Sequence, residues 1–221
     1  MGDGWADEND GGKRMLLKVR SYDFAKEFAD RAARLLGKKD SYWVRRVTDK
    51  HGKWFLVKVT SFMLYNFLNG GFDKLRSVVE PFPKQFLRGF YTAEGCPSIS
   101  LQKRYGPVLS AGVVVSNSDR ALLQCTYDLL TRQGYHPGKI RLNFQEGKKT
   151  NLGSARRPGW LLTISRFAEV QRFGPEIGFA DASKQHKLDE AVRLIRESGP
   201  RGAAAKWVEL YEKRRGDWSR R

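Results

Sequence analysis

The chain says much the same thing twice. VRSYDFA at 19–25 is matched by VSNSDRA at 115–121, and FLVKVTSF at 55–62 by WLLTISRF at 160–167, which lays Lys58 over Thr163. The interval from a repeated aspartate to a helix-ending glycine is nearly constant, Asp23 to Gly37 in one copy and Asp119 to Gly134 in the other. Chance does not readily reproduce strand periods, helix caps and glycine stops in one order. The repeat therefore predicts two copies of one α+β unit, each about ninety residues long.

Periodicity supplies the content of each copy. Residues 5–12 read as a polar connection, and residues 13–20 as a half-buried strand with Met15, Leu17 and Val19 on one face and Arg14, Leu16, Lys18 and Arg20 on the other. Ser21 or Asp23 caps a helix over 24–36, whose stripe is Phe24, Phe28, Ala32, Leu35 and Leu36. Strands over 42–48 and 53–61 follow, the second turning Phe55, Val57 and Val59 inward and Trp54, Leu56, Lys58 and Thr60 outward; a helix over 62–75 is broken at Gly70 and Gly71. In the second copy a strand over 98–104 directs Ile99 and Leu101 inward and Ser98, Ser100, Gln102 and Arg104 outward, pairing with 108–116. A helix over 120–132 comes next. Residues 139–144 bury Ile140, Leu142 and Phe144 and expose Lys139, Arg141 and Asn143, and 159–167 is the returning strand. Beyond it 187–195 is helical, and the end from Gly199 reads as a frayed basic terminus containing a helix over 203–214.

Between the copies lies PKQFLRGFYTAEG, residues 83–95. Pro81 and Pro83 suit a helix entry, while Gly95 and Pro97 stop it within about three turns. Phe86, Phe90 and Ala93 recur at helical spacing, Gly89 and Ala93 leave a small surface, and Glu94 sits at the tip. Alone this describes an ordinary core helix with an awkward acid at its negative end. The chain, however, begins MGDG, repeating that tip as GDG beside AEG.

LRGFYTAEG, 87–95, resembles the motif that names the LAGLIDADG homing endonucleases, and the likeness extends over roughly residues 1–195, nearest to the single-chain, two-motif enzymes of archaeal introns. It implies a pseudo-twofold duplicated αββαββα fold with antiparallel DNA-binding sheets. The half-domains would span 1–82 and 83–197, with a basic tail at 198–221. Of a first motif helix only Gly2, Asp3 and Gly4 are present, so the partner expected to pack on Phe86, Gly89 and Ala93 is largely missing and an apolar helix face is expected to be exposed. A start assigned at an internal Met and a decayed remnant both account for this.

Charge agrees with such a partner. There are 41 Lys and Arg against 24 Asp and Glu, a net charge of +17 and a pI near 10.1, pointing to a polyanion. A ribosomal or histone-like protein shares that signature. Two cysteines, Cys96 and Cys125, supply neither a disulfide framework nor a Cys-only zinc site, and His51, His136 and His186 have no ligand spacing to them, so metal binding must be through oxygen. No apolar run reaches a membrane span and MGDGWADEND is no signal peptide, a pattern expected of a cytoplasmic chain.

By resemblance, Asp3 and Glu94 are paired ligands of Mg²⁺ (or Mn²⁺), helped by carbonyls near Gly2 and Ala93, in a monomer that breaks both strands of duplex DNA and leaves short 3′ overhangs. A hard cation held by one or two carboxylates plus phosphate oxygens fits that role. Two basic strand faces would form the DNA surface, with Arg14, Lys18, Arg20, Lys58, Gln102, Arg104, Lys139, Arg141 and Asn143 as contacts. Which residue orders the attacking water stays open among Arg20, Lys58, Gln102 and Arg104; some relatives carry a Lys just after the second acid, where this chain has Cys96, Pro97 and Ser98. A maturase-like protein that holds intron RNA or DNA without cutting is the alternative.

Overall fold

A computed structural model describes residues 4–9, 12–49, 52–69, 72–102, 106–150, 153–214 and 217–221. The chain divides into two compact units, the first comprising residues 1–94 and 179–182, the second residues 95–178 and 183–221.

The first unit runs β1 (Gly4–Asn9), β2 (Gly12–Val19), α1 (Tyr22–Leu35), β3 (Val44–Asp49), β4 (Gly52–Thr60), α2 (Phe62–Asn69), α3 (Phe72–Val79) and α4 (Pro83–Glu94). Its antiparallel sheet has the order β1-β2-β4-β3. Met15, Leu17, Val19, Val57 and Val59 turn to one side and meet Ala25, Ala29 and Ala32 of α1. Alanines at this contact let the helix axis lie close to the strands, and Phe24, Phe28, Leu64 and Leu68 seal the margin. Ser21 caps α1 by accepting from the Phe24 N–H at 3.2 Å, and Ser61 does the same for Leu64 at the start of α2.

Residues 4–9 are a strand, not the connection expected for 5–12. β1 pairs with β2 in the register Asp7↔Arg14. Its sequence, GWADEN, lacks an apolar alternation because it lies at a sheet edge and is held by a cross-strand ion pair. The helical stripe also needs correction, since Leu35 is 70% exposed whereas Ala29 and Ala33 are buried. In α4, Leu87, Phe90 and Tyr91 are buried and Gly89 is exposed. Gln85, Arg88 and Gly89 line one side of an open apolar groove of about 440 Å³ whose other walls include Met15, Phe24, Phe28, Leu64 and Leu68.

The second unit repeats the plan as β5 (Gly95–Gln102), β6 (Val108–Asn117), α5 (Arg120–Arg132), β7 (Arg141–Phe144), β8 (Lys149–Thr150), β9 (Gly153–Ser154), β10 (Gly159–Ile164), α6 (Phe167–Glu176), α7 (Ala182–Leu210), β11 (Tyr211–Arg214) and β12 (Asp217–Arg220). The sheet order β5-β6-β10-β7 is the first unit's order again. Asp119 caps α5 by accepting from the N–H groups of Ala121 and Leu122 at 2.9 and 3.1 Å.

Two expectations fail in this unit. Leu142 was assigned to the core but is 45% exposed, because β7 begins at Arg141 and is a short edge strand. The segment after β10 is helical as α6 despite Gly174 and Pro175, whose place near its end lets the helix form before they act. The end of the chain is not frayed. α7 turns at Gly199 (φ 66°), and the Trp207 side chain behind that turn is fully buried, stacked on Tyr211 at 3.9 Å between centroids. The β11–β12 hairpin returns Trp218, whose indole N–H donates to the Ile99 carbonyl at 3.1 Å, and the Tyr211 hydroxyl donates to buried Glu190.

Candidate nucleic-acid interface and acidic centre

Register decides which side chains share the solvent face of the first sheet. Arg14 stands opposite both Asp7 and Thr60, Leu16 opposite Lys58, Lys18 opposite Leu56, and Leu56 opposite Arg45. Arg14, Lys18, Lys58 and Arg45 therefore project from one side. Two cations are held in place by acids of the same sheet. Arg14 donates to Asp7 at 2.6 and 3.1 Å, and Lys18 to Asp49 at 2.5 Å, an acid that also accepts from the Trp54 indole at 3.0 Å. Arg20 lies over the Trp54 ring at 4.7 Å and Lys18 at 5.4 Å, so one aromatic plate supports both. Lys58 and Arg45 have no carboxylate partner among the described residues. Their charge is available to an incoming anion.

The second sheet presents a different surface. Ser98, Ser100 and Gln102 of β5, Ser110 and Ser116 of β6 and Thr163 of β10 occupy the corresponding face, with Arg141 and Asn143 on edge strand β7. Ser100 and Ser110 share a hydroxyl–hydroxyl bond of 2.7 Å, and Asn143 donates to the Ser116 hydroxyl at 3.2 Å. Two matching basic faces were expected. Among the described residues the middle of the second face is instead hydroxyls and amides, with Arg141 at its edge, because the position of Lys58 is taken by Thr163 and those of Lys18 and Arg20 by Val114 and Ser116. Lys139 is exposed in the loop ahead of β7, and Arg104 lies outside the described residues.

Glu94 is the last residue of α4 and Gly95 the first of β5, with nothing between them. The helix tip is tied by side chains that sequence reading missed. Buried Thr92 donates to the Arg88 carbonyl at 2.6 Å and accepts from the Ala180 N–H at 2.8 Å. Lys184 donates to the Gly95 carbonyl at 2.8 Å. Partners nearly ninety positions apart leave no local pattern, so no signal in the sequence marks either residue. Gly2 and Asp3 lie outside the described residues, and with them the expected carboxylate pair. Among the described residues no three His, Cys, Asp or Glu side chains come together as a metal cage. A hard cation that keeps waters and phosphate oxygens needs no such cage, and the Glu94 carboxylate with the backbone carbonyls of the helix C-terminus is an all-oxygen donor set of the right kind.

Behind the second sheet, buried Glu169 accepts from the His136 backbone N–H at 3.0 Å and lies 2.7 Å from the ring Nδ1. Next to it the Tyr135 hydroxyl donates to Glu176 at 3.0 Å. Burial, and then this bond to a carboxylate, push the Tyr135 phenol well above its ordinary range. These groups tie α5 and α6 to the core and face away from the polar sheet surface. No helix among the described residues is long and apolar enough to cross a membrane.

Comparison with known proteins agrees with this geometry. The profile of the LAGLIDADG-like domain matches residues 81–178. An uncharacterized protein of Methanocaldococcus jannaschii is 26% identical over 150 residues, 66% of this chain, and the chain spans about half the length of this curated relative. Among solved structures, I-DmoI in complex with DNA and Mn superposes with a TM-score of 0.51 at 17% identity over 79% of this chain and 88% of that one. I-AabMI bound to uncleaved DNA gives 0.54 at 10% identity over 93% and 92%, and I-LtrWI bound to target DNA gives 0.52 at 10% over 94% and 91%. The chain carries a LAGLIDADG-like domain, and its duplicated α+β fold is that of the single-chain LAGLIDADG homing endonucleases.

Proposed function

We propose that this chain is a site-specific endonuclease of the intron-homing type, which binds duplex DNA as a monomer, hydrolyses one phosphodiester in each strand and leaves short 3′ overhangs. The observation that carries this reading is the direct passage from Glu94 to β5, which sets a carboxylate immediately before the first strand of a sheet whose outer face is polar. A protein that only binds DNA gains nothing from an acid at that point, where it would face phosphates.

Glu94 and Asp3, with the carbonyls of Ala93 and Gly2, would hold the divalent ion. Mg²⁺ or Mn²⁺, when bound, supplies charge neutralisation at the phosphate and an activated water. The fold's own contribution is placement. Thr92 and Lys184 tie the chain on either side of Glu94, so the backbone that carries the carboxylate does not have to be ordered when substrate arrives. Arg14, Lys18, Arg20 and Lys58 attract the backbone of one half-site, and Lys58 and Arg20 are this half's candidates for ordering the attacking water or steadying the phosphate. Gln102, Asn143, Arg141 and Lys139 serve the other half.

The test is cleavage of a duplex selected from a random-sequence pool, with Mg²⁺ and with Mn²⁺, followed by sequencing of the ends. The expected result is a double-strand break at one position with recessed 5′ ends, lost in Glu94→Gln. Tight binding with no cleavage in either metal would sink the nuclease reading and favour the maturase-like one, which predicts preferential binding of structured RNA.

A further inference from the structure

Among the described residues the middle of the second unit's sheet face carries no cation, yet the unit does not lack cations. Between Lys139 and Pro158 stand Lys139, Arg141, Lys148, Lys149, Arg156 and Arg157 against a single acid, Glu146. All six are exposed, and none has a carboxylate partner among the described residues; Lys148 rests 5.8 Å from the Phe144 ring centre. In the first unit the matching hairpin turns at once, Asp49 pairing with Gly52. In the second, residues 145–158 intervene between Phe144 and Gly159, themselves paired.

This insertion is built. Gly147 donates to the Ala155 carbonyl at 2.8 Å, Ala155 returns a bond to Lys148 at 2.9 Å, and Lys149 and Thr150 pair with Ser154 and Gly153. Its base is anchored by the Phe144 ring lying flush on Gly159, where a Cβ would stand 2.3 Å from ring carbons. Like charges gathered on an ordered ribbon repel one another in the free protein. That cost is recovered only against an anion with repeated charges.

We propose that the ribbon of residues 145–150 and 153–158 is a phosphate-gripping arm for duplex DNA, and that the second unit thereby separates holding from reading. Lys148, Lys149, Arg156 and Arg157 contact the sugar-phosphate backbone and set register. Ser98, Ser100, Gln102 and Ser110 are left to read base edges through hydroxyl and amide hydrogen bonds. The inference rests on the DNA-binding reading above and assigns that surface's parts.

Salt dependence separates holding from reading. Affinity of the full chain is measured between about 50 and 300 mM salt on two labelled duplexes, a random-sequence pool and a duplex enriched from it. The variant with Lys148, Lys149, Arg156 and Arg157 all changed to Ala is expected to lose about three to four units of log–log slope, at roughly 0.9 per phosphate contact, and to weaken on both duplexes alike. Its preference for the enriched duplex stays as it was. The Lys148→Arg, Lys149→Arg variant keeps the wild-type slope. Ser100→Ala with Gln102→Ala does the reverse, leaving the slope unchanged while preference falls by about tenfold. A wild-type slope in the fourfold variant, with its thermal melt unchanged, overturns the arm. Loss of preference in that variant overturns the separation of roles. Failure of the wild-type protein to bind either duplex, or tighter binding to a folded RNA hairpin than to both, overturns the DNA reading itself.

Discussion

Glu94 occupies an uncomfortable position. It ends a helix, where the carbonyls of the last turn already concentrate negative charge. Glu94→Gln relieves about 0.3–1 kcal/mol of that repulsion and keeps the side chain's size and hydrogen-bonding capacity, so the fold should persist while cleavage of a selected duplex falls by about a hundredfold or more. A variant that lost stability and activity together would mean the acid is structural. Lys184 is the opposite case. Its charge-assisted bond to the Gly95 carbonyl is worth about 1.5–3 kcal/mol at most, so Lys184→Met should shift urea unfolding to lower concentration and reduce cleavage more than DNA affinity. Glu94 is singled out in the sequence because it ends a motif. Lys184 is not, because its role exists only once α7 has folded back to β5.

Among elements, the two capped helices differ in an informative way. The repeat aligns Asp23 with Asp119, yet only Asp119 is a cap. In α1 the cap is Ser21 and Asp23 lies inside the first turn, so this helix begins two residues earlier than its counterpart. Asp119→Ala removes the acceptor of two backbone N–H groups and should cost about 1–2 kcal/mol. Asp23→Ala loses only a favourable interaction with the helix end and should cost about 0.3–1 kcal/mol. Urea unfolding of the two variants checks the order; equal losses would mean the repeat extends to the caps. The same comparison shows what periodicity can and cannot reveal. Elements with a buried face, such as β2, β4 and α5, were read within a residue or two because alternation or helical spacing survives in them. β1 escaped because Arg14 and Asp7, not an apolar face, hold it to the sheet, and β8 and β9 because their ladder has no interior to bury.

At the scale of the whole molecule, a net charge of +17 announced a polyanion but not its distribution, since composition is blind to which strand carries a residue. The end of the chain was misread for a related reason. Its Lys and Arg suggest a solvated tail, whereas Trp207, Tyr211 and Trp218 make it a lock on the second unit, and Trp207→Ala should cost about 3–5 kcal/mol. The lock also carries a pH dependence. Tyr211 donates to Glu190 and Tyr135 to Glu176, and both phenols are pushed well above the ordinary value of 10.0, first by burial and then by the carboxylate each one meets. A folded-state pKa raised above the unfolded one means that the unfolded chain gives up its proton first as pH rises. The contribution is therefore whole below about pH 10 and is lost progressively above it, as ionisation pulls the equilibrium toward the unfolded chain. Urea midpoints should hold level to pH 9 and fall steeply by pH 11. In a variant with both tyrosines changed to Phe, the midpoint at pH 7 is lower, because Glu190 loses its donor, but the alkaline fall is shallower. An equally steep fall in the variant would show that these two hydroxyls do not govern alkaline unfolding.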